Sequence, residues 1–200
     1  MQYDVVTVGA FEANCVVAHD GCGHGVIVDP GGDAKRIVAC VARLGVVPEA
    51  VWLTHRHIDH VAALDEVLRA YPGIPVMMHA DDAEWAFSPI NRIPPYMSVP
   101  KRPATLRMIG EGDILSVGKE TLRVLSTPGH SPGSVCFLDG AGKTLIAGDT
   151  FFCGDIGRTD FPGGDMRRMG ESLGRLWLLD ADIRVIPGNG PETTIGAESR

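Results

Sequence analysis

The sequence predicts a single α/β domain over residues 1–200, a sheet-rich core with helices packed outside it. Three observations predict this. The chain has 200 residues, room for one large domain. Short β-rich runs alternate with stretches of helical periodicity. The 25 glycines and 14 prolines are spread along the chain, so they mark many turns rather than one linker.

Tyr3–Val8, Asn14–Ala18 and Gly25–Asp29 are the first predicted strands. After Pro30-Gly31-Gly32 a helix is expected, with Asp33 as N-cap, Ile37, Val38, Val41 and Leu44 at helical spacing, and Gly45 as its stop. Ala50–Leu53 is a short strand running into the polar cluster Thr54–His60. A second helix carries Val61, Leu64, Val67, Leu68 and Tyr71 on one side and ends at Pro72-Gly73. Pro75–Met78 is the next strand. Residues 86–104 hold five prolines and are expected to form an irregular surface segment. Strands follow at Asp113–Val117, Thr121–Ser126, Ser134–Leu138 and Thr144–Ala147. A third helix runs from about Asp165 to Leu179, with Met166, Met169, Leu173, Leu176 and Trp177 at helical spacing, and Ile183–Ile186 is the last strand.

Composition narrows the function classes. Apolar residues make up 44% and charged residues 22%, which excludes a disordered chain, a collagen-like fibre and a coiled coil. A net charge of −7 argues against a protein that holds nucleic acid by its overall field. No apolar run approaches the roughly 18 residues needed to span a bilayer, so no membrane partner is expected. Met1-Gln2-Tyr3-Asp4 shows no basic start to a secretory signal. Five cysteines without a C-x-x-C pair argue against a disulfide framework and for a reducing, cytoplasmic setting.

The strongest chemical signal is Thr54-His55-Arg56-His57-Ile58-Asp59-His60, with four metal-ligand side chains within six residues. On an extended segment the side chains at 55, 57 and 59 share a face. His60 joins them only if the chain turns, and helical patterning begins there. The stretch should therefore present imidazoles from an extended segment, and a carboxylate and an imidazole from a helix start. That donor set suits zinc, and also iron or manganese. Two companions follow strands: His130 in Thr127-Pro128-Gly129-His130-Ser131-Pro132-Gly133, and Asp149 in Ala147-Gly148-Asp149-Thr150. Together they place four histidines and two aspartates at the carboxyl ends of strands, where open α/β sheets build their sites. One carboxylate could bridge two cations about 3.5–4 Å apart.

These motifs, T-H-R-H-I-D-H, P-G-H-S-P-G-S and A-G-D-T-F-F, resemble the metallo-β-lactamase superfamily. Ile156–Asp165 and Pro187–Thr194, with the early Asn14-Cys15 and Val28–Gly32, are similar to short bacterial hydrolases of the glyoxalase II (hydroxyacylglutathione hydrolase) type. The resemblance covers nearly the whole chain. It implies an αββα sandwich with a metal site at one edge. It also implies that His55, His57 and His130 hold a first metal, that Asp149 bridges, and that Asp59 and His60 hold a second metal with one further histidine. At that last position relatives carry P-G-H-G-P, whereas this chain reads Pro187-Gly188-Asn189-Gly190-Pro191. An amide oxygen is a poorer zinc ligand than an imidazole, so the second site is expected to be weakened or filled by Asn189 or water.

The resemblance also sorts the chemistry. True β-lactamases of the superfamily lack the bridging aspartate, so Asp149 disfavours antibiotic hydrolysis. The transfer-RNA-processing branch needs a basic arm, which a short acidic chain does not offer. Only 11 residues follow Asn189, so the helical glutathione-binding domain of full-length glyoxalase II enzymes is expected to be absent. The chain ends where relatives usually continue, which leaves truncation open. The expected function is hydrolysis of a small thioester or ester, with one or two zinc ions, metal-bound hydroxide as nucleophile, and Asp59 and Asp149 as catalytic carboxylates. Two rivals stand beside it: a mononuclear iron persulfide dioxygenase held by His55, His130 and Asp149, and a metal-binding scaffold of low activity. Among the remaining residues, Arg158 is expected either to meet a substrate carboxylate or to sit in a buried pair with Asp160 or Asp29, and Cys153, four residues past Asp149, to serve as an apolar filler rather than to approach the site. His19 and His24 should be solvated, Asp29 should brace neighbouring loops, and Phe151 and Phe152 should pack.

Overall fold

The computed structural model describes residues 1–92, 94–141 and 143–199; Ile93, within the expected irregular segment, Gly142 and Arg200 lie outside the described residues. The first half begins with a meander, β1 (Gln2–Val8), β2 (Ala13–His19) and β3 (His24–Val28). α1 (Ala34–Leu44), β4 (Val47–Trp52), α2 (Ile58–Val61), α3 (Leu64–Ala70), β5 (Val76–His79), α4 (Ala80–Ala86) and β6 (Leu106–Ile109) follow. The second half contains β7 (Ile114–Val117), β8 (Glu120–Ser126), β9 (Val135–Asp139), β10 (Thr144–Gly148), the ribbon β11 (Phe151–Phe152) and β12 (Asp155–Ile156), α5 (Met166–Leu176), β13 (Arg184–Pro187), β14 (Thr193–Thr194) and α6 (Ile195–Glu198).

Two six-stranded sheets result, ordered β1-β2-β3-β4-β5-β6 and β14-β13-β10-β9-β8-β7. In the first, β3 to β6 are parallel neighbours; in the second, β10 and β13 are parallel. Side-chain alternation sends each strand's residues to two different layers. Val16, Ala18, Val26, Val28 and Trp52 face Val124, Phe137, Ile146 and Ile186 of the other sheet. The Trp52 and Phe137 rings meet there at 5.2 Å. The opposite faces bury Val17, Ile27 and Val51 under Ile37, Val41, Leu64 and Val67 of the first helices. Cys136, Leu138, Leu145 and Val185 lie under Leu176 and Ile195. The layers thus run helix–sheet–sheet–helix, as the resemblance implied. Because both faces of the first sheet are covered, β2 is buried at all seven positions and shows no polar alternation. Ile37 is fully buried in the outer helical layer. Ile37→Val, which removes one methylene there, is expected to cost about 1 kcal/mol in urea denaturation.

Several local expectations change. Asp33 precedes α1 but does not cap it with its side chain; it sits at φ +46°, and its carboxylate accepts the Gly9 N–H at 2.9 Å instead. Gly45 ends the helix at φ +66° as expected. The second expected helix is two, α2 and α3, separated at Ala62-Ala63, where the Ala63 N–H bonds the Pro30 carbonyl. α4 and β6 are not among the expected elements, and the small β11–β12 ribbon, β14 and α6 carry too few residues for periodicity to signal them. Within the proline-rich stretch, Pro89–Asn91 form a 3₁₀ turn and Asn91 is buried, its amide donating to the Arg56 carbonyl at 2.7 Å. That stretch is a wall of the interior as well as surface.

The strands that feed the site point the same way. β3, β4, β8, β10 and β13 all end on one edge of the sandwich. Beyond them come Asp29, the 54–60 stretch, the 127–133 loop, Asp149 and Asn189.

Candidate metal centre

His55, His57 and His130 converge on one point: each offers a ring nitrogen, and these nitrogens lie within 4.8 Å of one another. The His57 Nδ1 and His130 Nε2 are 2.8 Å apart. Two of these rings are oriented by what their other nitrogen meets. The His130 Nδ1 lies 2.7 Å from the Arg158 carbonyl, which can only accept, so the proton sits on Nδ1 and Nε2 keeps its lone pair. The Thr54 hydroxyl gives its one proton to Asp29 Oδ2 at 2.6 Å and therefore accepts from His55 Nδ1 at 3.0 Å. His55 Nε2 is then a buried lone pair without a hydrogen-bond partner. His60 donates through Nδ1 to Asp29 Oδ2 at 3.1 Å, which turns Nε2 toward Asp149 Oδ1 at 3.3 Å and Asp59 Oδ2 at 3.6 Å. Imidazoles held through one nitrogen while the other faces carboxylates and further imidazoles are the arrangement of a metal site. The residues present fit a divalent cation with nitrogen and carboxylate ligands.

Asp149 lies between the two groups of histidines, 3.5 Å from His130 Nε2 and 3.3 Å from His60 Nε2. Asp59 is more open than Asp149, their side chains being 23% and 11% exposed. Asn189 reaches Asp149 through its amide nitrogen, Nδ2 to Oδ1 at 3.3 Å. It stands where the further histidine was expected and acts here as a hydrogen-bond donor to the carboxylate. Its loop is pinned by Asn14, whose backbone N–H meets the Gly188 carbonyl at 2.7 Å and whose amide meets the Pro187 and Gly190 carbonyls. Only glycine fits at 188, because a Cβ there would run into Asp149 Oδ1 and lie 2.9 Å from His60 Cε1.

The electrostatics follow from burial and crowding. Burial, and then the neighbouring His60, His130 and His57, hold His55 well below the ordinary imidazole range. Burial and the adjacent His130 take His57 down to about 3. Burial also opposes a charge on His60, yet the carboxylates of Asp149 and Asp59 outweigh it and hold that imidazole well above its usual value. For Asp149 burial is likewise outweighed, by His60 first, and the carboxyl stays below its normal range. Asp59 is raised, by burial first. The pocket therefore offers neutral imidazoles on one side and a charge-balanced imidazole–carboxylate group on the other.

All seven residues singled out at this site lie at the one edge, and Asp29 braces the loops as expected. Four other expectations are corrected. Cys153 is exposed, at the turn of the β11–β12 ribbon, rather than an apolar filler. His19 is buried at 4% exposure and pairs with Asp4, because its strand is covered on both faces; His24 is exposed beside Glu49. Arg158 pairs with Asp160, but at the surface, the side chains being 60% and 67% exposed. Burial splits the two phenylalanines: Phe151 packs against Trp177, while Phe152 faces the cavity.

Sequence reasoning missed Asp82. It is fully buried and accepts from the backbone N–H groups of Arg56 and Gly133 and from the Ser131 hydroxyl. It thus ties the 54–60 stretch to the loop carrying His130. Also missed were the aromatic walls Phe11, Trp85 and Tyr96. Spacing alone carried no signal for either, since both depend on loops meeting in space.

The sequence profile of the Metallo-beta-lactamase superfamily matches residues 8–188. The chain is 34% identical to "Hydroxyacylglutathione hydrolase GloC" of Haemophilus influenzae, over 100% of this chain and 96% of that one. Among solved structures it is similar to the BLEG-1 B3 metallo-β-lactamase (TM-score 0.90, 33% identity, 98% of this chain and 96% of that one). It is also similar to TTHA1623 in a di-iron-bound form (TM-score 0.88, 37% identity, 98% and 97% covered).

Proposed function

The chain belongs to the metallo-β-lactamase superfamily, and from that premise we propose that it is a metal-dependent hydrolase of a small thioester or ester, of the hydroxyacylglutathione hydrolase type. One observation carries the reading: His55 Nε2, His57 Nδ1 and His130 Nε2 converge on one point beside the Asp149 carboxylate. His55, His57 and His130 would hold the first ion, Asp149 would bridge, and Asp59 and His60 would hold a second. When bound, the cation supplies a hydroxide nucleophile near neutral pH and a positive charge for a carbonyl oxygen. The chain's own residues do the rest. Thr54, Asp29 and the Arg158 carbonyl fix the ring orientations of His55, His60 and His130. Asp59 and Asp149 offer acceptors for a proton of the attacking water, and the aromatic walls screen one side from solvent.

The full-length match to a hydroxyacylglutathione hydrolase supports the thioester choice. The likeness to a structure described as a B3 metallo-β-lactamase supports hydrolysis at a carbonyl, but Asp149 favours the thioester. Zinc suits the donor set, with iron as the other candidate because a similar protein is known in a di-iron-bound form. Five free cysteines fit a cytoplasmic setting.

A second reading rests on Asn189, which gives Asp149 an amide where the resemblance implied a histidine. A chain left with one well-held ion, if that ion is iron, fits oxidation of a persulfide better than hydrolysis. Elemental analysis of the protein, beside Asn189→His, separates the two. The expected result is about one zinc per chain rising to about two in the variant, with faster thioester hydrolysis. A single iron, with oxygen uptake on a glutathione persulfide, moves the second reading to the front. No gain of metal in the variant would remove Asn189 as the cause of a weak second site.

A further inference from the structure

The cavity in front of the imidazole cluster has a volume of about 640 Å³, the size of a small-molecule site. Its walls beyond the cluster are apolar and largely aromatic. Phe11, Ile58, Trp85, Tyr96, Phe152 and Phe161 arrive from six separate segments. Tyr96 and Phe11 at the mouth are 72% and 47% exposed, so aromatic surface stands open to solvent there.

The charges of this cavity run one way. Asp59, Asp149 and Asp155 line it, against a single lining cation among the described residues, Arg158. That guanidinium is already met: its Nε and Nη2 donate to the two Asp160 oxygens at 2.7 Å each, and it lies 4.1 Å over the Phe161 ring. Arg56, the adjacent cation, is turned away under the Trp85 ring and bonds the Pro162 carbonyl. A carrier thiol bearing several carboxylates or phosphates needs free guanidinium or ammonium groups, because anions buried without partners are costly. A bound metal adds positive charge at the reacting end of the cavity, not at its aromatic end.

Resting on the hydrolase reading above, we propose that the preferred substrate is a thioester or ester with one uncharged, apolar arm of aromatic size, seated against Phe11, Tyr96 and Phe161, rather than one carried on a glutathione-like thiol bearing free carboxylates.

The test pairs turnover with binding. S-benzyl thioacetate and S-acetylglutathione share an acyl group and an alkyl-thiol leaving group. Metal-loaded protein is expected to hydrolyse the benzyl compound with kcat/KM at least about tenfold higher. Benzylacetone, in which a methylene replaces the sulfur, should bind more tightly than S-methylglutathione in calorimetry. Tyr96→Ala and Phe11→Ala, both at exposed positions, should weaken benzylacetone and leave S-methylglutathione unchanged. Preference for both glutathione compounds would overturn the apolar arm while the hydrolase reading stands. Tighter binding of benzylacetone that the two variants weaken, without turnover of either thioester, would support the apolar arm and remove the hydrolase reading. Benzylacetone binding that neither variant weakens would overturn the proposal.

Discussion

Asp82→Ala is expected to cost the fold about 3–5 kcal/mol, the size of effect seen when one partner of a buried ion pair is removed. Asp82 is fully buried, and Arg56, 3.8 Å away, has a side chain only 5% exposed. Burial pushes the Asp82 carboxyl up despite the donors around it, so the group holds geometry more than it stabilises. Its loss is still costly, because it orphans the Arg56 charge, two backbone N–H groups and the Ser131 hydroxyl together. Chemical denaturation measures the loss. A companion variant sharpens it: Asp82→Asn keeps an acceptor oxygen, and adding Arg56→Met removes the stranded charge, so the double variant should recover more than half of the stability. A loss under about 1 kcal/mol for Asp82→Ala would mean that water takes over the carboxylate's role. Because Asp82 joins the stretch carrying His55 and His57 to the loop carrying His130, the alanine variant should also retain less metal.

Asp82 marks where legibility in the sequence ends. The four-ligand run 55–60 was legible because chemistry and spacing coincide within six residues, and His130 and Asp149 because glycine and proline frame them after apolar strands. The long strands and α1 and α5 were legible for the same local reason: the periodicity of buried positions is written along the chain. Asp82 follows Asp81, which is exposed, and nothing local says which of the two turns inward. That is decided by Ser131 and Gly133, some fifty residues away. The aromatic walls are equally nonlocal, since Phe11, Trp85 and Tyr96 become neighbours only when the first sheet and its loops close over the cavity. His19 failed for a related reason. A histidine beside a glycine-rich turn reads as solvated, but β2 is covered on both faces, and Asp4 on the adjacent strand supplies the partner.

Asp149→Asn is expected to lower thioester hydrolysis at least about a thousandfold, the scale on which removal of a central catalytic group acts. The substitution keeps shape and removes charge. In the native chain the carboxylate faces His130 at 3.5 Å and His60 at 3.3 Å, and Asn189 gives it a further donor. An asparagine offers one neutral oxygen to those three neighbours and removes the negative charge that Asp149 would present to a cation. It also removes a carboxylate placed to face both groups of histidines. The first group keeps its three imidazoles, because Thr54 and the Arg158 carbonyl, not Asp149, fix the orientations of His55 and His130. Metal content should therefore fall less than activity does, staying near the one ion per chain expected of the parent. Steady-state kinetics with elemental analysis on the same preparation read both quantities. Turnover within about tenfold of the parent would remove Asp149 from the mechanism, leaving the three imidazoles alone to account for hydrolysis.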